Sequence, residues 1–331
     1  MEDLQTGYEQ LTLGKPIRFP PKTTSFKQWA HLLSEYSQSG ALEQELSFWL
    51  AEPRTHVAGL PVDYPRAREA NTVASSRTVS KSLDVDETRI LLQEVPKAYR
   101  TQINDVLLAA LVQTFVPWTG VRSLLLDLEG HGREEIKAQV NLSRTMGWFT
   151  SIFPVLLDLD GIFSLGEVLK SIKEQLHRIP NRGIGYGVLR YLSRNAEVSE
   201  QLHELPQAEV RFNYLGQFDQ ALSDSSFFRL TRDSSGSVPS QEGMRRYLLD
   251  VFGSVVGGQL QIDWTFSENV HRHGTVEDLA QRYISELHCL IVHCQSPQAG
   301  GYTPSDFPLA KFDQRQLDRL VNKLRRLRNE H

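Results

Sequence analysis

The sequence predicts an α+β fold in which a mixed sheet is covered by helices on one side. Two periods in the apolar residues carry this prediction. Short alternating or continuously apolar runs indicate strands, and longer stretches with apolar residues three and four positions apart indicate helices. Strands and helices in this mixed order favour α+β layers. The 331 residues suffice for one large or two ordinary domains with a sizeable core.

Five helices are predicted before the central strand. They cover residues 1–13, 26–37, 41–50, 86–95 and 103–115. Capping preferences favour Thr24 or Ser25 as the N-cap of the second, Asp86 or Thr88 for the fourth, and Thr101 for the fifth. Pro96 is expected to end the fourth, because proline lacks the backbone N–H that a helix needs. The polar stretch up to residue 76 is expected to be a linker.

Strand-like runs and three further helices complete the pattern. The strands are predicted at 78–83, 123–128, 152–159, 209–218, 246–255 and 259–266. Two adjacent glycines, 257 and 258, indicate a hairpin between the last two. Ser164 and Glu167 form a capping box for one helix, and Thr275 is the expected cap of another. The tail, 311–331, is predicted to be an amphipathic helix with clustered arginines.

Composition excludes several classes of function. A net charge of −4 predicts no nucleic-acid partner, since a basic domain or stripe is expected there. No apolar run approaches the ~18 residues that span a membrane. The first ten residues, MEDLQTGYEQ, lack the cationic and apolar regions of a secretory signal. Two cysteines make no disulfide framework, so we expect a cytoplasmic protein.

The central strand ends abruptly in a charged, glycine-containing turn, EGHGRE at 129–134. Glycines allow a sharp turn and close approach to a ligand. A carboxylate beside an imidazole and a guanidinium suits proton transfer. An equally good interpretation is a polar turn whose charges pair with one another in solvent, because charge clusters are also structural. The spacing leaves both interpretations open.

Other motifs for chemistry are weak or missing from the sequence. Cys289 and His293 have the i, i+4 spacing of helical metal ligands, but no second pair completes a closed zinc site, so no metal is expected. The sequence contains no nucleophile elbow, phosphate loop or dinucleotide fingerprint. Hydrolase and nucleotide-dependent functions therefore lack support.

Four ordered motifs resemble those of one enzyme family. The stretches LEGHGRE (128–134) and RTMGWFT (144–150) resemble two successive signatures of the epimerization domains of nonribosomal peptide synthetases. PNRGIGYG (180–187) and FNYLGQFD (212–219) resemble the next two, in the family's order. Four motifs in order are a far more specific signal than one short pattern.

The resemblance implies a fold of chloramphenicol acetyltransferase-like lobes that meet at a tunnel. It implies a partial first lobe with the crossover at 1–76, a nearly complete second lobe at 77–310, and a linker helix at 311–331. In this family a His-His-x-x-x-Asp-Gly motif shortly precedes a segment similar to residues 2–4, and the 331 residues contain no such motif. We therefore expect an N-terminally truncated domain.

The resemblance also assigns roles to residues. Glu129 matches a proton-transfer glutamate, whose partner on the opposite face is a histidine of the missing motif. Tyr214 matches a position that donates to the enolate or transfers a proton, and Asn213 a position that lines the site. Arg133 is expected to hold the Glu129 carboxylate or to shape its pKa, and His131 to hold the turn by hydrogen bonds. Three further positions are expected to line or support the site: Asp3, Trp148 and Tyr186.

The expected function is inversion of the α-carbon of an aminoacyl or peptidyl thioester. The substrate is expected on the phosphopantetheine arm of a peptidyl carrier protein, so the partners are that protein and neighbouring synthetase domains. No cofactor of the chain's own is implied. Two alternatives stay open: a condensation domain, which forms amide bonds, and a non-catalytic lobe that docks a carrier protein. Without the histidine motif, we expect the chain alone not to epimerize at a useful rate.

Overall fold

The computed structural model describes residues 2–51, 57–65, 67–137, 140–217, 240–310 and 312–329. The last two residues of the fourth motif, Phe218 and Asp219, lie outside the described residues. The helices are α1 Glu2–Thr12, α2 Phe26–Tyr36, α3 Gly40–Trp49, α4 Val85–Gln93, α5 Val95–Tyr99, α6 Ile103–Thr119, α7 Leu165–His177, α8 Ile184–Leu192, α9 Ala196–Glu204, α10 His273–Gln295 and α11 Gln314–Asn329. The strands are β1 Ser76–Ser82, β2 Ser123–Gly130, β3 Ser151–Asp158, β4 Val210–Gln217, β5 Leu249–Val256 and β6 Gln259–Ser267.

The strands form one mixed sheet in the order β1-β6-β5-β4-β2-β3. Strand β4 pairs in parallel with both β2 and β5, and the other pairs are antiparallel. Because side chains alternate along a strand, the register decides which of them share a face. Leu126 lies beside Val210, and Asp127 lies beside Arg211. The sheet therefore has an apolar face and, at its centre, a charged one.

The apolar face carries the core. Helices α6 and α10 pack against each other and the sheet, with α4 and α7 beside them. The Trp264 ring of β6 stacks on Phe115 of α6 and meets Tyr283 of α10 edge-on. All three side chains are buried in one continuous cluster. Burial of these aromatic rings contributes to the stability of this layer. The predicted sheet covered by helices is confirmed.

Three predicted helix starts are wrong. Asp84, rather than Asp86 or Thr88, caps α4, and Thr88 is buried and accepts from the backbone N–H of Leu260. Helix α6 begins after Gln102, not Thr101. The N-cap of helix α10 is Arg272, three residues before the expected cap Thr275. Pro96 lies in the first turn of α5, where its missing N–H costs nothing.

Helices α8 and α9 were not predicted from the sequence. Helix α8 begins within the third motif and buries Ile184, Tyr186, Val188 and Leu189. It packs against β3 and also against α2 and α3, which ties the N-terminal segment to the edge of the sheet. Across the described residues, no helix is long and apolar enough to cross a membrane.

Candidate active site

A cleft of about 620 Å³ opens where β2 and β4 end, between the start of α6 and the end of α7. Parallel pairing brings the carboxyl ends of these two strands to the same edge of the sheet. The first and fourth motifs, which are distant in sequence, therefore meet in one cleft. Its polar lining comes from these residues: Gln102, Asn104, Asp105, Glu129, His131, Glu134, Thr150, His177, Arg182, Asn213 and Tyr214.

Glu129 is the carboxylate at the centre of this lining. Its Oε2 accepts from Asn213 Nδ2 at 2.7 Å, and its Oε1 accepts from Arg211 Nη1 at 3.2 Å. Only 16% of the side chain is exposed. Both donors come from β4, the parallel neighbour, so the register of the sheet sets the orientation of the carboxylate. An oriented, mostly buried carboxylate at the wall of a cleft is suited to accept or return a proton.

The other two carboxylates of the cleft are engaged in local structure. Asp105 is buried and accepts from the backbone N–H of Gln102 at 2.7 Å, which holds the start of α6. Burial raises the pKa of Asp105 above its ordinary value. Glu134 pairs with the His131 ring at 3.3 Å and with Arg182 at 3.7 Å. Neither is held between donors from a neighbouring strand as Glu129 is.

Tyr214 also lines the same cleft. The hydroxyl is buried and has no hydrogen-bond partner among the described residues. Burial raises the pKa of Tyr214, so this phenol is neutral at physiological pH and keeps its proton available to donate. A buried hydroxyl without a partner is uncommon and marks a candidate position for a ligand atom.

The charged turn after β2 is shaped by a close backbone contact. Gly132 has φ +66°, and a Cβ there would lie 1.6 Å from the carbonyl oxygen of Phe149. Only glycine fits such a position. His131 is more than half exposed, and its Nδ1 accepts from the backbone N–H of Arg133 at 3.0 Å. The first and second motifs are thus packed together at this point.

Arg133 does not hold Glu129 as predicted. Its guanidinium donates to the carbonyl oxygens of Leu142 and Thr145 and lies 4.0 Å from the centre of the Phe149 ring. The guanidinium on Glu129 is that of Arg211, which the sequence reasoning missed. The available signal was position: Arg211 lies two residues before Asn213 on the same strand, and therefore on the same face.

The third motif forms a tight turn around a buried glutamate. Asn181 has φ +43° and donates to Glu45 at 2.6 Å, and Tyr36 donates to the same carboxylate oxygen at 3.2 Å. A Cβ on Gly185 would lie 2.0 Å from this carboxylate, and one on Gly183 would meet the Phe153 ring. The glycines of this motif are thus explained by packing between α3, α8 and β3.

The remaining predicted site residues lie apart from Glu129. Tyr186 is buried and accepts from Arg190 at 2.7 Å, and Trp148 is 84% exposed. Both border a second cleft of about 430 Å³. Asp3, on α1, pairs with Arg144 at the surface. The structure therefore brings Glu129, His131, Asn213 and Tyr214 together in one cleft and places Asp3, Trp148 and Tyr186 elsewhere.

No metal site is present within the described part of the chain. It contains no group of three or more His, Cys, Asp or Glu side chains that could hold an ion. Both cysteines are free. The His293 ring stacks on Tyr99 and shares a hydrogen bond of 2.8 Å with its hydroxyl.

The fold, and the cleft formed by the first and fourth motifs, agree with the family that comparison with known proteins identifies. The family model named "Condensation domain" matches residues 1–311. The chain belongs to the condensation-domain family, whose chloramphenicol acetyltransferase-like fold accounts for the mixed sheet covered by helices.

Individual relatives belong to peptide synthases. A linear gramicidin synthase protein from Brevibacillus parabrevis is 49% identical over 99% of the chain, which spans 4% of that relative. Chondramide synthase from Chondromyces crocatus is 40% identical over 98% of the chain and 8% of its own length. The chain thus matches a small part of each of these proteins.

Among solved structures, the epimerization domain from the third module of tyrocidine synthetase B superposes with a TM-score of 0.81. It is 37% identical, and the match covers 88% of this chain and 65% of that one. A cyclization–docking bidomain from Sorangium cellulosum, at 19% identity and a TM-score of 0.61, shows the same fold; the match covers 88% of this chain and 56% of that one.

Proposed function

We propose that the chain acts in epimerization of an aminoacyl or peptidyl thioester, by removing and returning the proton on the α-carbon. The observation that carries this proposal is the carboxylate Glu129, held by two donors from β4 in a cleft that Tyr214 also lines. The likeness to an epimerization domain at 37% identity supports it.

Glu129 and Tyr214 have the chemical groups that removal of an α-proton requires. A thioester acidifies its α-C–H bond, so removal of the proton needs a positioned base and stabilisation of the enolate oxygen. Glu129 accepts the proton, and the Tyr214 hydroxyl donates a hydrogen bond to the enolate oxygen. The substrate arrives on the phosphopantetheine arm of a peptidyl carrier protein, which is the partner that we propose along with adjoining synthetase domains.

The rival functions predict different behaviour. A condensation domain uses the same fold to join an amine to a thioester, and the family model by itself accommodates this activity. A docking lobe binds the carrier protein and changes nothing on it. The orientation of Glu129 by Arg211 and Asn213 favours proton transfer, because binding alone needs no oriented carboxylate at the wall of a cleft.

The test is exchange of the α-proton in deuterated water, with L- and D-aminoacyl thioesters on a carrier protein. We expect deuterium to replace the α-proton of one enantiomer. We do not expect conversion to the other enantiomer at a useful rate, because the partner histidine motif is not among the 331 residues. Rapid L-to-D conversion by the chain would make His131 the leading second group. Amide formation with an added amine would support the condensation activity, and binding without exchange would support the docking lobe.

A further inference from the structure

Glu129 is one end of a row of alternating charges on the polar face of the sheet. Arg211 donates through Nη1 to Glu129 and through Nε to Asp250 at 2.7 Å. Asp250, on β5, accepts with its other oxygen from Arg245 at 2.7 Å. The row therefore runs Glu129, Arg211, Asp250, Arg245 across three neighbouring strands and the segment before β5.

The two arginines of the row are each held from more than one side. The Arg211 guanidinium contacts two rings, 5.1 Å from the centre of Tyr247 and 4.9 Å from that of Phe252. Arg245 has a side chain only 6% exposed and also donates to the carbonyl oxygen of Thr265 at 2.8 Å. A planar guanidinium fixed by two carboxylates and two rings has little freedom to turn.

The arrangement differs from an ordinary ion pair at the surface. Arg77 and Glu268, at the far edge of the same sheet, are each about half exposed, with side-chain exposures of 50% and 48%. Such pairs contribute little and change geometry easily. Arg211 is 27% exposed and Asp250 11%. Because Arg211 and Asp250 are less exposed than the surface pair, their side chains are held in one orientation by the surrounding sheet.

We propose that Arg211, supported by Asp250, is the positioning residue that holds Glu129 for proton transfer. Arg211 is not among the residues that line the cleft, so it acts through Glu129. The expected loss of exchange rate without Arg211 rests on the proposed function. The expected change in the position of the Glu129 side chain does not. Without Arg211, Glu129 keeps only the Asn213 contact and is free to rotate about it.

The structural test follows the side-chain amide of Asn213 by NMR in the ¹⁵N-labelled chain, since this amide donates to Glu129 at 2.7 Å. In Arg211→Gln, we expect the Asn213 signal to shift. The matched control Arg77→Gln, on β1, removes an exposed pair and should leave it in place. If Arg211→Gln does not fold, Asp250→Asn provides the second variant, with a smaller shift expected. An unchanged Asn213 signal in the folded variant overturns the proposal.

The kinetic test uses α-proton exchange on the carrier-bound thioester. We expect Arg211→Gln to lower kcat about 10- to 100-fold with little change in KM, because misplaced catalytic groups reduce the rate on this scale. Arg211→Lys should recover part of the rate. A shifted Asn213 signal with undiminished exchange overturns the proposal. If even the unmodified chain shows no exchange, the proposed function fails, while the shift of the Asn213 signal still supports the positioning role.

Discussion

Replacement of Glu129 by glutamine separates the chemistry of the carboxylate from its place in the fold. Glutamine has the same shape but carries no charge and cannot accept a proton from carbon. Proton transfer by a positioned side chain contributes roughly 10²- to 10⁴-fold to a rate. We therefore expect exchange of the α-proton to fall by about this factor.

The same substitution should change stability little. Glutamine offers one acceptor oxygen where the carboxylate offers two, so either Arg211 or Asn213 loses its acceptor. Rotation of the Asn213 amide restores the second hydrogen bond, because its carbonyl oxygen then faces the glutamine NH₂ group. We expect the free energy of unfolding to decrease by about 1 kcal/mol, measured by chemical denaturation.

The assay compares exchange rates and the denaturation midpoint in three proteins. Glu268→Gln is the matched control, since it changes the same residue type in an exposed pair at the opposite edge of the sheet. It should retain both rate and stability. If Glu129→Gln exchanges at nearly the rate of the unmodified chain while remaining folded, Glu129 belongs to the structure of the turn and the chemical assignment is wrong.

Three further changes test other parts of the site and fold. Tyr214→Phe should reduce exchange by less than Glu129→Gln and leave stability unchanged or slightly higher, because the hydroxyl has no partner among the described residues; equal losses in rate would contradict this. Gly132→Ala should lower the melting temperature strongly, since its Cβ meets a backbone oxygen, whereas Gly187→Ala, with open space around it, should not. Burial lowers the pKa of His271, so the unfolded chain binds a proton more readily than the folded one. Stability should therefore fall as the pH drops below about 6.5, and this slope should weaken in His271→Gln.

The strands were predictable because each carries its own apolar signal. The run from Leu124 to Leu126 and the alternation in β6 both lie where the sequence placed them. Helix starts were less predictable, because several polar residues near each start compete to cap it. Thr88 illustrates this: its hydroxyl has the chemistry of a cap but is used by the backbone of β6 instead.

The contacts of the site depend on the pairing of β2 with β4, and a local sequence pattern does not show which strands pair. The sequence placed Glu129 at the end of a strand, but not beside β4, which lies about eighty residues further along the chain. Arg133 was the nearer arginine in sequence, and the close packing of Gly132 on Phe149 carries its guanidinium away to two backbone carbonyls. The parallel register instead brings Arg211 to the carboxylate.

The charged face of the sheet is better explained by geometry than by stability. Buried or half-buried ion pairs lose hydration, and apolar residues of similar size often stabilise a fold equally well. The helix-covered face already provides an extensive core. Besides the row that ends at Glu129, this face holds Asp127, which accepts from the Tyr247 hydroxyl at 2.6 Å and whose pKa is raised by burial. In both places the register of the strands fixes which partners each carboxylate contacts, so each carboxylate is held in one position. A base that must meet a single C–H bond needs that property, because a rate depends steeply on the placement of the reacting groups.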